Sequence, residues 1–92
     1  MDKHFMERIT NAADLSDELI PGVPLVEIAG DRRVLIEHHC GVTQYGRCQI
    51  SVRVKYGTVV VVGTQLELTR MTGQQLIITG RIECVQLERG GR

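Results

Sequence analysis

Between Gln49 and Leu87, apolar and polar residues alternate in short runs broken by glycine. Ile50, Val52 and Val54 interleave with Ser51, Arg53 and Lys55. Successive side chains on a strand point to opposite faces, so this spacing predicts a strand over 49–55 with its apolar face inward. Thr58–Val62 carries a run of valines and predicts a strand covered on both faces. Leu66 with Leu68, then Leu76 with Ile78, repeat the two-residue spacing. Gly63-Thr64, Met71-Thr72-Gly73 and Gly80 are the expected corners. In the last run the apolar parity slips from Ile82 and Cys84 to Val85 and Leu87, and a bulge near Cys84 accounts for the slip.

The same pattern extends upstream. Leu25–Ala29 reads as a strand, Gly30-Asp31 as a turn, and Arg33–His38 as a second strand with Val34, Ile36 and His38 on one face. Val42–Tyr45 follows after Cys40-Gly41, and Gly46-Arg47 makes the next turn. About eight short strands at roughly eight-residue spacing predict an all-β domain: a small antiparallel meander, a roll or a sandwich. Gly63-Thr-Gln-Leu66-Glu-Leu68 and Gly73-Gln-Gln-Leu76-Ile-Ile78 also share a template. Two copies fit consecutive hairpin strands better than a short polymerising solenoid, which needs at least about three stacked repeats.

The first residues follow a different period. Phe5, Met6, Ile9, Ala12 and Ala13 fall on one face of a 3.6-residue repeat, with Asp2 as N-cap, predicting a short amphipathic helix over 1–13. Such a helix is marginal alone, so its apolar face must cover the sheet or a partner. Ser16-Asp17-Glu18 starts a further turn with Leu15 and Leu19 on one side, and Pro21, Gly22 and Pro24 stop it. The expected organisation is a helical arm over 1–20, a β domain over 21–88 and a frayed tail over 89–92.

Composition narrows the function classes. With 92 residues the chain makes one domain with a modest core. Phe5, Tyr45 and Tyr56 are its only aromatics, so stacking on bases has little support. Net charge is zero, which argues against strong phosphate binding even though Arg53 and Lys55 share a strand face near Arg47, Arg70 and Arg81. Residues 1–30 hold Lys3 and Arg8 against six acids, a net of −4, and residues 31–92 balance this with +4. The acidic arm is therefore suited to a basic surface, its own or a neighbour's. Cys40, Cys48 and Cys84 make an odd set without a CxxC pair, and neither a secretory leader nor an apolar span is visible. Free thiols in a cytoplasmic compartment and no direct membrane insertion are expected.

Ligand character is concentrated in His38-His39-Cys40. These three are the candidates for a metal- or ligand-binding module, which Cys48, Cys84 and His4 are able to join. However, adjacent strand residues face apart, and no zinc-type spacing is present. A Cys40–His39 nucleophile lacks a marked orienting group. No phosphate-cradling loop or carboxylate pair appears in the β body. The expectation is no enzyme and no cofactor.

From Pro21 to Leu87 the chain resembles the YabP/YqfC family of sporulation proteins. The matching features are Pro24 with Leu25-Val-Glu-Ile28, then Val34-Leu-Ile-Glu37-His-His39-Cys-Gly41, Tyr45 and Ile50-x-Val52-x-Val54. Gly57, Val59-x-Val61-x-Gly63, Leu66-x-Leu68 and Leu76-Ile-Ile78-x-Gly80-x-Ile82 complete the match. The helix and the Leu-Pro connector are closer to the YqfC branch. His38 stands where the family often has Asn, which tolerates a left-handed backbone better. The resemblance implies a non-enzymatic structural or adaptor protein of spore formation. It would work on the mother-cell side of the forespore membrane, self-associate and dock on a multi-pass membrane protein. Phe5, Ile9, Glu37, His39 and Tyr45 are the expected interaction residues, and nucleic acid is not an expected partner.

Overall fold

A computed structural model of the chain describes residues 22–90, and every regular element among them is a β-strand. These are β1 (Leu25–Ala29), β2 (Arg33–Glu37), β3 (Val42–Tyr45), β4 (Gln49–Val54), β5 (Gly57–Met71) and β6 (Gln75–Arg89). They form one antiparallel sheet in the order β1-β2-β6-β5-β4-β3, with β1 and β3 at its edges. The expected helix over 1–13 and the following turn lie outside the described residues.

Six strands replace the expected eight because two of the expected corners are not corners. Gly63-Thr64 lies inside β5 and Gly80 lies inside β6, and each of these strands runs 15 residues. Gly63 is the clearer case. A Cβ there would sit 1.9 Å from the carbonyl oxygen of Arg81, so the residue permits a close approach of two backbones. The antiparallel pairing also excludes the solenoid, and the two repeat copies face each other across the β5–β6 hairpin, with Leu68 opposite Ile78.

That hairpin is bent by three irregularities in its register. Val62 pairs with Cys84 and Gly63 with Ile82, which leaves Glu83 as the extra residue and meets the expectation of a bulge near Cys84. Thr64 pairs with Arg81 and Glu67 with Thr79, so Gln65 and Leu66 together oppose Gly80. Gln65 takes a positive φ of 52° there. Thr69 is the third extra residue, between the Leu68–Ile78 and Arg70–Ile77 pairs. Each bulge increases local twist and bends the bulged strand.

The bends split the sheet into two halves. One half joins β3 and β4 to the first part of β5, with Ile50 opposite Val61 and Val52 opposite Val59. The other joins β1 and β2 to the first part of β6, with Val34 opposite Ile78 and Ile36 opposite Leu76. Inner-face residues of both halves belong to one buried cluster, so the halves cover each other as a roll. Each fully buried Val, Ile or Leu contributes roughly 1.5–3 kcal/mol. The cluster is therefore what holds the bent hairpin against the entropy of ordering it.

Val59, Val60 and Val61 are all buried, so the valine strand is covered on both faces as expected. Val60 lies opposite Ser51 and Gln86 on the outer face. Strand β6 continues through Arg89, and Gly90 N–H donates to Tyr56 O at 2.8 Å.

Candidate functional site

The stretch with the most chemical character, Glu37–Gly41, is the crossover between the two halves. β2 ends at Glu37, and β3 begins at Val42 on the opposite side of the sheet. To make that passage the chain turns at His38, whose φ is +63°, in the left-handed region that residues with a Cβ seldom occupy. His38 is consequently exposed and does not continue the inward face of Val34 and Ile36, as a strand through residue 38 would require.

Four hydrogen bonds dock the crossover on both halves. On the β5–β6 tip, His38 N–H donates to Gln74 O at 2.6 Å. On β4, Cys40 N–H donates to Arg53 O and Arg53 N–H donates to Gly41 O, both at 2.7 Å. At the start of the crossover, Gln75 Nε2 donates to the Glu37 carboxylate at 3.1 Å. Glu37 is thus held by an amide from the residue opposite it.

His39 joins the two sets. Gly41 N–H donates to its Nδ1 at 3.1 Å, so Nδ1 carries no proton and the ring proton sits on Nε2. Nε2–H then donates to Thr72 O at 2.7 Å. Thr72 itself shapes the tip: its Oγ1 accepts from Gln74 N–H at 3.2 Å and Gln75 N–H at 3.0 Å. The crossover therefore rests on a turn that is closed by its own side chain.

Both ring nitrogens of His39 are thus engaged with backbone, and a metal would have to displace one of these bonds. The bend at His38 does not bring the candidate ligands together. Among the described residues no three His, Cys, Asp or Glu side chains are grouped to hold a metal ion. Cys40, Cys48 and Cys84 are free and exposed. His4 lies outside the described residues, as do the interaction candidates Phe5 and Ile9. Tyr45 is exposed at the end of edge strand β3.

The basic residues also separate. Arg81 lines a cleft with Arg32 and Arg33, whereas Arg53 and Lys55 line another with Tyr56 and Arg89. Lys55 reaches over its neighbour, its Nζ 5.6 Å from the Tyr56 ring centroid. The partners that sequence reasoning missed are Thr72, Gln74 and Gln75. Thr72-Gly73 signals a turn, but nothing local indicates that His39, 33 residues away, would seat on it.

Residues 23–92 match the YabP family. The chain belongs to the YabP family. That membership suggests a sporulation-related protein, and within the family no branch is distinguished. No curated protein and no solved structure matches the chain. In this YabP-family chain the matched segment includes all six strands and the Glu37–Gly41 crossover.

Proposed function

We propose that this chain is a non-enzymatic structural or adaptor module of spore formation. In this reading it acts in the cytoplasm on the mother-cell side of the forespore membrane, self-associates, and docks on a multi-pass membrane protein. The observation that carries the reading is the use of His39. The side chain best suited to chemistry in the crossover instead bonds Gly41 and Thr72 through its two nitrogens. Family membership supplies the setting in sporulation. Among the described residues β1 and β3 are the two sheet edges, which are consistent with strand addition to a partner. Among the described residues no helix is long and apolar enough to cross a membrane; in this reading the module reaches the membrane through its partner.

Light scattering coupled to sizing tests the self-association directly. The expected mass is a multiple of the 10.3 kDa chain, and Phe5→Asp or Ile9→Asp reduces it. A monomer at high concentration, together with normal spore formation in cells lacking the protein, would sink the proposal.

A further inference from the structure

Besides its terminal strands, the sheet has an open flank within β6. Strand β2 pairs with β6 only over residues 75–79. The turn between β1 and β2 closes the next step, with Gly80 N–H donating to Arg32 O and Ile82 N–H to Asp31 O. From Glu83 to Arg89, among the described residues, β6 has a neighbour on one side alone, which is β5. Gly90 N–H donates to Tyr56 O, so its backbone groups point at β5. By antiparallel alternation those of Cys84, Gln86 and Glu88 do the same, and those of Val85, Leu87 and Arg89 point out of the sheet. Val85 and Leu87 lie on the inner face, opposite Val61 and Val59. Val59 is 1% exposed, whereas Leu87 is 70% exposed. The flank thus combines an open backbone edge with an uncovered apolar side chain.

We propose that the occupant of this flank is the same flank of a second copy, paired antiparallel about a two-fold axis at Gln86. Such pairing is one form of the self-association proposed for this module, and rests on it. It would join β3, β4, β5 and β6 of the two copies into one continuous sheet.

The residues of the flank are self-complementary in this register. With Gln86 on the axis, Val85 faces Leu87 of the second copy, and the symmetry repeats the contact. Both residues carry outward backbone groups, so each such pair exchanges two hydrogen bonds. Glu83 comes level with Arg89 of the second copy, again at two places. A centre at Val85 would instead set Arg81 opposite Arg89, and a centre at Leu87 would set Val85 opposite Arg89. Charge favours the axis at Gln86 for a further reason. Arg89 lines a cleft with Arg53 and Lys55, and none of the described residues lining it is acidic. Glu83 of the second copy supplies the missing carboxylate. Glu88 faces uncharged Cys84, and Asp31 and Arg32 bring one charge of each sign to the end of the paired segment.

Sedimentation equilibrium on the full chain tests the association, and a cysteine cross-link tests the register. E83R and R89E each set like charges opposite at two places, and each is expected to weaken association roughly tenfold. Mixing the two variants restores it, because position 83 of either one then meets the opposite charge at position 89. In a chain with Cys40, Cys48 and Cys84 replaced by serine, Gln86→Cys is expected to give a covalent dimer with diamide as oxidant. Directly opposite residues of a non-hydrogen-bonded pair have Cα atoms about 4.5 Å apart, within disulfide range. Glu88→Cys in the same background stays uncross-linked, because it faces position 84. A wild-type chain that is monomeric at every concentration would remove self-association itself, and this pairing with it. A wild-type chain that associates, while E83R and R89E associate as tightly or Gln86→Cys gives no covalent dimer, overturns the two-fold at Gln86 and leaves self-association standing.

Discussion

Removing the imidazole of His39 measures how much the crossover contributes to stability. His39→Ala deletes the bond from Gly41 N–H and the bond to Thr72 O, at 3.1 and 2.7 Å. A protein hydrogen bond has a net value of about 0.5–1.5 kcal/mol, so the pair is worth about 1–3 kcal/mol. His39 is only half-buried, and the cavity contribution is accordingly small. For a domain of this size the loss corresponds to a fall in Tm of roughly 5–20 °C. Urea unfolding followed by circular dichroism gives the value directly, provided the slope is unchanged. His39→Asn keeps an acceptor near the Nδ1 position and cannot reach Thr72, so about half the loss should return. Cys40→Ala is the control: its thiol is exposed, and the expected effect is within about 0.5 kcal/mol. If His39→Ala unfolds within about 0.5 kcal/mol of the wild type, the crossover is not held by this side chain and the structural role assigned to His39 is wrong.

Two further substitutions probe the backbone. His38→Asn should raise stability by about 0.5–1 kcal/mol in the same assay, because the left-handed φ of 63° costs a residue with a Cβ about 1–2 kcal/mol that Asn partly avoids; a loss of stability would contradict the left-handed turn. Gly63→Ala drives a Cβ against the Arg81 carbonyl and should cost at least about 2 kcal/mol, seen as lost soluble yield and a lower urea midpoint. Gly73→Ala meets nothing within 4 Å and should stay near wild type, so equal effects at the two glycines would refute the close approach at Gly63.

Much of the sheet was legible because alternation is a local property. Ile50, Val52 and Val54 read as one inward face, and each is buried. The parity slip after Ile82 announced a bulge, since one extra residue is the only way to change face without leaving the strand. The corner at Thr72-Gly73 was equally plain. Gly63 and Gly80 misled because a glycine inside a strand and a glycine at a turn look alike in one dimension. What distinguishes them is whether another backbone passes close by, here Arg81 beside Gly63 and Gln65 beside Gly80.

The candidate site was legible only in its residue types. Glu37, His39 and Cys40 drew attention because they are the residues with chemistry, and their place at the end of β2 followed from the pattern. The separation of Arg53 and Lys55 from Arg81 was not visible, since it depends on which strands the bent hairpin brings together.

The amino-acid sequence by itself determined that this YabP-family chain builds β-strands, which side chains form their apolar faces, and where parity changes. These follow from the two-residue period and from turn chemistry, both of which act between near neighbours. Only the tertiary structure decided that four predicted strands are two long ones, that the sheet rolls on itself, and that His39 is a backbone clamp. Those outcomes depend on contacts between residues that are not near neighbours in the chain: Gly63 with Arg81, the inner faces of β2 and β4 with one core, and His39 with Thr72. Such contacts become favourable only when the whole chain is folded, because burying the shared core repays the entropy of bringing the segments together.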